Sequence, residues 1–216
     1  AATTGDGGTY VGFNAGASIT TAGLNTVVGS YAFDAATTAT QSVAIGYAAL
    51  SANTTAANNT AVGYAGLSSN TTGVQNIALG SLALDANTTG DLNVAIGYHA
   101  LGSNVSTGAN TAVGGYALYV NEAANNTAMG YQSLYSNTSG TSNAAVGREA
   151  LNQNTTASNN TALGYRALFL NTTASNNTAV GSAALDTNTT GSQNVAVGFA
   201  ALDANTTGGN NVAVGM

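Results

Sequence analysis

A glycine recurs at every seventeenth position along almost the whole chain. Thirteen glycines follow this spacing, and the interval from Gly114 to Gly130, which is shorter by one position, is the one exception. A fixed period of this length is typical of a repeat architecture in which each unit stacks on the next. We number positions in a turn from this glycine, so that Val62 is position −1 and Tyr64 is position +1 in the turn of Gly63.

The residues before the glycine predict one short β-strand in each turn. Position −1 carries Val, Ile, Leu or Met, position −3 carries Thr, Val or Ile except at Ala144, and position −2 is Ala from Ala44 to Ala213. β-Branched residues followed by Gly are typical of a strand and its end. Because a turn of this length leaves no room for a helix, the fold class is all-β, a parallel β-solenoid (β-roll) of about 13 rungs.

Other positions of the turn predict its packing. Leu at position +4, as in Leu50, indicates that each rung buries its Leu and its Val against the next rung. The Tyr-x-Ala-Leu stretch after the glycine predicts a second short strand or an extended corner.

The repeat predicts a single domain over residues 1–216. Its N-terminal turns at 1–41 are irregular, the repeats at 42–216 are regular, and one residue is deleted near 121–126. There, Asn121-Glu122-Ala123-Ala124 replaces a corner such as Asn70-Thr71-Thr72-Gly73. A tolerated deletion indicates that this corner is a loop.

Asparagine forms two further columns, which we interpret as structural Asn ladders at the corners. Stacked amides hydrogen-bond along a parallel stack, and Asn tolerates the left-handed backbone of a sharp corner. The alternative is glycan attachment, because Asn53, Asn70 and Asn87 begin N-x-[ST] sequons. The columns include Asn53, Asn70, Asn87, Asn154 and Asn171 at position +7, and Asn59, Asn76, Asn93, Asn160 and Asn177 at position −4.

The strand pattern resembles a known family at Ser42-Val43-Ala44-Ile45-Gly46 and at Asn93-Val94-Ala95-Ile96-Gly97. It is similar to the head repeat of trimeric autotransporter adhesins (the YadA-like head) and, with the Asn-Thr-Thr-Gly corner, to repeats of phage tail-fibre proteins. The resemblance covers the chain from about Gly8 to Gly215. It implies a left-handed β-roll, three chains around one axis and a role in surface attachment. This sequence departs from that family in its longer period and in lacking a coiled-coil stalk and a membrane-anchoring barrel.

Composition excludes several classes of function. Two arginines cannot neutralise a nucleic-acid backbone. The lack of Cys excludes disulfides and Cys-based metal sites. No apolar stretch is long enough for a transmembrane helix, and no leader of basic and then apolar residues is present. Among the acids that share position +5, only Asp186 and Asp203 fall in adjacent turns, so we expect no catalytic, metal or cofactor site and no enzymatic activity.

Some side chains are candidates for surface contacts. Glu149 and Arg166 fall at one position in adjacent turns and predict an exposed ion pair. Rings at position +1 are candidates for recognition of host-surface glycans; alternatively they pack on each other or across a subunit boundary. These are Tyr47, Tyr64, Tyr98, Tyr131 and Tyr165, while Tyr116, Tyr119 and Tyr135 crowd the irregular region at 114–135.

The strands also predict self-association. Thr60-Ala61-Val62 and its equivalents are uncharged on both faces, and a strand that is apolar on both sides needs a cover outside the coil. Three copies around an axis supply this cover, which predicts a homotrimer.

We therefore expect a non-enzymatic structural rod or fibre segment of a surface adhesin or phage tail fibre. It is expected to mediate attachment outside the cell, at the cell surface or on a virion. One alternative is a self-assembling extracellular filament subunit, because the chain stops in mid-repeat at both ends and an uncapped coil exposes strand edges. A further alternative is an ice-binding β-solenoid, which the Thr residues at position −3, such as Thr60, Thr111 and Thr127, favour.

Overall fold

The computed structural model describes residues 7–21 and 23–216 and contains one three-residue strand in each turn. Contacts divide the chain into two compact units, the first ending at Ala109 and the second running from Asn110 to Met216. The irregular residues 1–6 and 22 lie outside the described part of the chain. The strands of the first unit are β1 (Thr9–Val11), β2 (Thr26–Val28), β3 (Val43–Ile45), β4 (Thr60–Val62), β5 (Ile77–Leu79) and β6 (Val94–Ile96). Those of the second unit are β7 (Thr111–Val113), β8 (Thr127–Met129), β9 (Ala144–Val146), β10 (Thr161–Leu163), β11 (Thr178–Val180), β12 (Val195–Val197) and β13 (Val212–Val214).

Within each unit, every strand pairs in parallel with the next one along the chain. Ala44 lies opposite Ala61, one full repeat further on, whereas Thr111 of β7 lies opposite Thr127 of β8, one position short of a full repeat. Backbone hydrogen bonds join the rungs in both directions, since the Gly63 amide donates to the Ile45 carbonyl at 2.8 Å and the Thr60 amide donates to the Asn76 carbonyl. The prediction of an all-β parallel solenoid with a 17-residue repeat is confirmed.

The interior of the coil is filled by small residues and leucines. Ala61 at the middle of its strand and Leu67 at position +4 are both buried completely. Because side chains alternate along a strand, burial of position −2 turns positions −3 and −1 outward. The prediction that the aliphatic residue at −1 is buried with the Leu is therefore wrong; Ile45 is 36% exposed and Leu163 is 47% exposed.

The stretch after the glycine is a tight turn, and the predicted second strand does not form there. Ala48 at position +2 and Leu50 at position +4 have φ angles of 52° and 54°, in the left-handed region. Their amides point in opposite directions along the stack, because Ala48 donates to Ser30 of the preceding rung and Leu50 donates to Gly66 of the following rung. These rung-to-rung hydrogen bonds offset the cost of the left-handed backbone, about 1–2 kcal/mol per residue.

The left-handed positions predict which side chains the coil accepts. Position −5 is also left-handed, as at Asn58, and none of the residues with positive φ at positions +2, +4 and −5 is Val, Ile or Thr. A branch at Cβ crowds the backbone in this conformation, so β-branched residues are outliers there. The coil therefore selects Leu at position +4 for its shape as well as its hydrophobicity.

Replacing Leu168 by Ile is expected to lower the free energy of unfolding by about 1–3 kcal/mol. Leu168 is fully buried and has a φ of 54°, so the equally apolar Ile places its branch against a strained backbone. Urea denaturation measures the loss. The control is Val180→Ile at position −1, which already carries Ile45 and Ile96 and should leave stability nearly unchanged. Equal losses in the two variants would contradict the role of backbone conformation.

The corner that follows Asn121 is one residue shorter than a regular corner, and its hydrogen bonding differs accordingly. In a regular corner Asn70 Nδ2 donates to the carbonyl three residues on, that of Gly73, at 2.9 Å. Asn121 Nδ2 donates instead to the carbonyl two residues on, that of Ala123, at 2.6 Å. The next rung has the regular register again, because Asn137 Nδ2 donates to Asn121 Oδ1 at 2.8 Å.

Candidate interaction surfaces

The Asn side chains at position +7 form a ladder of buried amides inside each unit. Asn70 Nδ2 donates to Asn53 Oδ1 of the preceding rung and to the Gly73 carbonyl of its own corner, each at 2.9 Å. Asn154 makes the same two bonds in the second unit, to Asn137 Oδ1 at 2.8 Å and to the Ala157 carbonyl at 3.0 Å. Each amide thus closes its own corner and holds the neighbouring rung.

The Asn side chains at position −4 form a second ladder that meets the first. Asn59 Oδ1 accepts from the Asn76 backbone amide at 2.9 Å, and Asn59 Nδ2 donates to the Gly73 carbonyl at 2.8 Å. The Gly73 carbonyl therefore accepts from both ladders. Both Asn columns are inside the coil, where an unpaired amide costs about 1–3 kcal/mol, and neither is available to a partner.

This geometry argues against glycan attachment at these sequons. N-glycosylation modifies Nδ2, and at Asn70 that atom is engaged in two hydrogen bonds in a side chain with no exposed surface. Asn53 and Asn87 are buried to the same degree. A sugar at any of these three positions requires the corner to open.

The outward side of each strand is uncharged and at least partly exposed; we call positions −3, −1 and +1 together the strand face. Positions −3 and −1 carry no charged residue in the described chain, and Arg148 is the single charge at position +1. Tyr64 at position +1 is 55% exposed. Since Ala61 faces inward, the uncovered apolar side of this strand is that of Thr60 and Val62.

The five rings predicted for recognition all lie exposed on the strand face, and Tyr47 and Tyr64 contact each other. Tyr47 and Tyr64 stack with centroids 5.5 Å apart and planes 8° apart. The others have separate neighbours: Tyr98 meets His99 edge-on at 4.5 Å, Tyr131 meets Tyr116 at 6.3 Å, and Tyr165 lies under the Arg148 guanidinium at 5.8 Å.

Most of the charged side chains of the described chain lie on a second stripe, positions +2 and +5, which we call the variable face. The residue types at these two positions change from turn to turn. In the described chain this face holds Asp34, Asp85, His99, Glu149, Arg166, Asp186 and Asp203. Among the charged residues that the structure describes, Arg148, Asp91 and Glu122 lie elsewhere.

The two columns of the variable face touch across neighbouring rungs. Arg166 at position +2 lies over the ring of Phe169 at 4.2 Å and forms an ion pair with Asp186 of the next turn at 3.1 Å. Glu149 pairs with its neighbour Arg148 at 2.9 Å. The predicted pair of Glu149 with Arg166 is therefore wrong, because position +2 faces position +5 of the next turn. That adjacency was missing from the sequence analysis, because a period shared by every position does not tell which positions lie side by side.

The acids of the variable face are partly desolvated. Burial raises the pKa of Asp186 above its usual value, although the Arg166 guanidinium opposes the shift, and the nearby Asp203 adds to it. Burial likewise raises the pKa of Asp85, and His99 opposes that shift. Because Asp186 is paired with Arg166, Asp186 and Asp203 do not offer two unpaired carboxylates.

The described residues offer no enclosed site. Within residues 7–21 and 23–216 no cavity of ligand size is present, and no three His, Asp or Glu side chains gather where a metal ion could bind. The same part of the chain has no helix able to span a bilayer.

A tyrosine cluster interrupts the variable face in the second unit. Tyr119 and Tyr135 occupy position +5 in adjacent turns and stack at 5.5 Å with planes 21° apart. Tyr116 at position +2 meets Tyr119 edge-on at 5.5 Å and Tyr135 at 6.3 Å. All three rings are half-buried.

Comparison of this chain with models of protein families, with curated proteins and with solved structures finds no match.

Proposed function

We propose that this chain is a non-enzymatic, rigid segment of an extracellular attachment fibre, such as a surface adhesin or a phage tail fibre, and that it acts as a homotrimer of left-handed coils. The observation that carries the proposal is the strand face. It presents aliphatic and aromatic side chains rung after rung, and no charge at positions −3 and −1.

An apolar stripe of this kind favours burial against other copies. Soluble monomers rarely expose a continuous apolar patch of more than a few hundred Å². The acids of the variable face, including Asp34, Asp85 and Asp203, lie outside the strand face. Copies of a chain with a net charge of −6 can therefore pack strand face to strand face while most of their acids stay in water. A closed cyclic assembly covers one such face on every copy.

The interior favours a mechanical role over a catalytic one. From Asn53 onward two Asn columns line the corners, and every rung is hydrogen-bonded to its neighbours within the unit. Stability in such a stack is close to a sum of rung and interface terms, so length is added without a larger core. Such a coil gives reach and stiffness at an extracellular surface.

Native mass tests the proposal. Light scattering of the purified chain should give about 63 kDa, three times the 21.0 kDa of one chain. Leu163→Glu places a charge on the strand face, where the side chain is 47% exposed, and should shift the mass towards one chain. Ala65→Glu is the matched control, because it adds the same charge at position +2, which already carries Glu149.

Two results would contradict the proposed trimer. One is a mass near 21 kDa for the unsubstituted chain. The other is an equal response of Leu163→Glu and Ala65→Glu, which would place the association outside the strand face. A mass that grows without limit, with unbounded fibres in electron micrographs, would favour the filament alternative.

A further inference from the structure

We infer that Tyr116, Tyr119 and Tyr135 form a binding platform for a neutral oligosaccharide. This inference rests on the proposed attachment function and assigns its ligand class and its place on the variable face. The platform is separate from the exposed rings of the strand face at Tyr47 and Tyr64.

The coil does not need these rings. Position +5 carries Ser51, Ser68 and Gly102 in other turns, and position +2 carries Ala183 and Ala200. The same backbone therefore forms with small side chains at both positions. A cluster of three tyrosines is a local feature that the fold alone does not explain.

The rings are arranged as an open platform. Tyr119 and Tyr135 stack across adjacent rungs, and Tyr116 closes the cluster edge-on. Tyr131 of the strand face borders the platform, because its ring lies 6.3 Å from that of Tyr116. Aromatic rings pack on the apolar C–H faces of pyranoses, and the Tyr hydroxyl adds a polar group at the edge. A platform without an enclosing cavity suits a chain of sugars lying along the surface.

Amide side chains occur on the rung of Tyr135, at Gln132, and on the following rung, at Asn152 and Gln153. Asn152 Nδ2 donates to the Gln132 carbonyl at 2.9 Å, and Gln153 Nε2 donates to Asn152 Oδ1 at 2.6 Å. Asn152 follows Tyr135 at position +5, one rung on, at about 4.8 Å. Gln153 is exposed, and its side-chain amide oxygen can accept a hydrogen bond from a sugar hydroxyl group.

The charges near the platform favour a ligand without charge. Arg148, the nearest cation along the strand face, is paired with Glu149 at 2.9 Å. Arg166 is paired with Asp186. With both arginines committed and a net charge of −6, an acidic saccharide meets repulsion and a neutral saccharide does not.

Affinity electrophoresis of the full chain tests this inference. Native gels would contain galactomannan, hydroxyethylcellulose or dextran as neutral polysaccharides, or alginate as an acidic one. At least one neutral polysaccharide should retard the chain. Tyr119→Ser and Tyr135→Ser install a residue that position +5 accepts at Ser51 and Ser68, and each should weaken the binding at least tenfold.

The control is Tyr47→Ser on the strand face, where position +1 accepts Ser30 and Ser81. It should keep the retardation of the unsubstituted chain. Retardation that survives both Tyr119→Ser and Tyr135→Ser, retardation by alginate alone, or no retardation by any of the three neutral polysaccharides would overturn the inference. Light scattering of the same samples separates this result from the proposed trimer, because the mass does not depend on the platform.

Discussion

Replacing Gly63 by Ala is expected to lower the free energy of unfolding by about 3 kcal/mol or more. Gly63 has a φ of 137°, which side chains rarely adopt, and an added Cβ would lie 2.5 Å from the Gly80 carbonyl oxygen and 2.6 Å from its carbon. These are backbone atoms of the next rung, held by hydrogen bonds such as the one from the Gly80 amide to Val62. The neighbouring rung cannot move aside without breaking its own pairing.

The matched control for this prediction is Gly66→Ala, three residues further on in the same turn. An added Cβ at Gly66 meets nothing closer than 3.7 Å, and Ala49 and Ala83 occupy the same position in adjacent turns. Because Ala restricts the unfolded chain more than Gly does, this variant should gain about 0.4–1 kcal/mol. Urea denaturation followed by circular dichroism measures both variants. Stability of Gly63→Ala within about 0.5 kcal/mol of the unsubstituted chain would contradict the packing of glycine against glycine.

Replacing Asn154 by Gln is expected to lower the free energy of unfolding by about 2–4 kcal/mol. Asn154 is completely buried, and its Nδ2 donates to both Asn137 and Ala157 while its Oδ1 accepts from Asn171. The extra methylene of Gln moves the amide out of register with both neighbours and overfills a closed ladder. The loss is therefore a sum of weakened hydrogen bonds and strain.

Asn159→Gln makes the same chemical change at an exposed corner and serves as the control. Position −5 carries Gln in other turns, at Gln41, Gln75 and Gln193, all with positive φ like Asn159 itself. Its stability should change by less than about 0.5 kcal/mol. Thermal and urea unfolding of the two variants side by side measures the difference. Equal losses would show that the ladder at position +7 contributes no more than any surface Asn.

The glycine period was enough to predict the fold class, the parallel register and the burial of Leu67 and its equivalents. It could not predict which side of the strand faces inward. Thr60, Ala61 and Val62 are all uncharged, so the strand has no polar face that marks the solvent side. The interior places Ala rather than Val beside the leucines, which the sequence pattern alone does not decide.

A second short strand was one of two predictions for the stretch after the glycine, and it was wrong. The left-handed turn there is marked by residue types that are missing rather than by residues that are present. Leu50 has no intrinsic preference for a left-handed backbone, and the alternation of Tyr, Ala and Leu is typical of a strand. The lack of Val, Ile and Thr at positions +2, +4 and −5 becomes meaningful only after the columns are aligned.

The candidate surfaces were predicted only in part. The recurrence of rings at position +1, as at Tyr47 and Tyr64, follows from the period, but their exposure depends on which side of the strand faces outward. The contact of Arg166 with Asp186 does not, since it joins two positions of adjacent turns that sequence spacing does not relate. Such contacts depend on how the corner folds back, a property of the three-dimensional coil.

Disulfide trapping tests the central claim, that residues one repeat apart lie directly above one another. The chain has no Cys, and Thr156, Thr173 and Thr190 are exposed at one position of three consecutive turns. Adjacent rungs place Cα atoms about 4.8 Å apart, within the range for a disulfide, and a separation of two rungs is too long. The variant with Thr173→Cys and Thr190→Cys should form an intrachain disulfide under mild oxidation, and the variant with Thr156→Cys and Thr190→Cys should not. A reduced first variant, or equal cross-linking of both within one chain, would contradict the account.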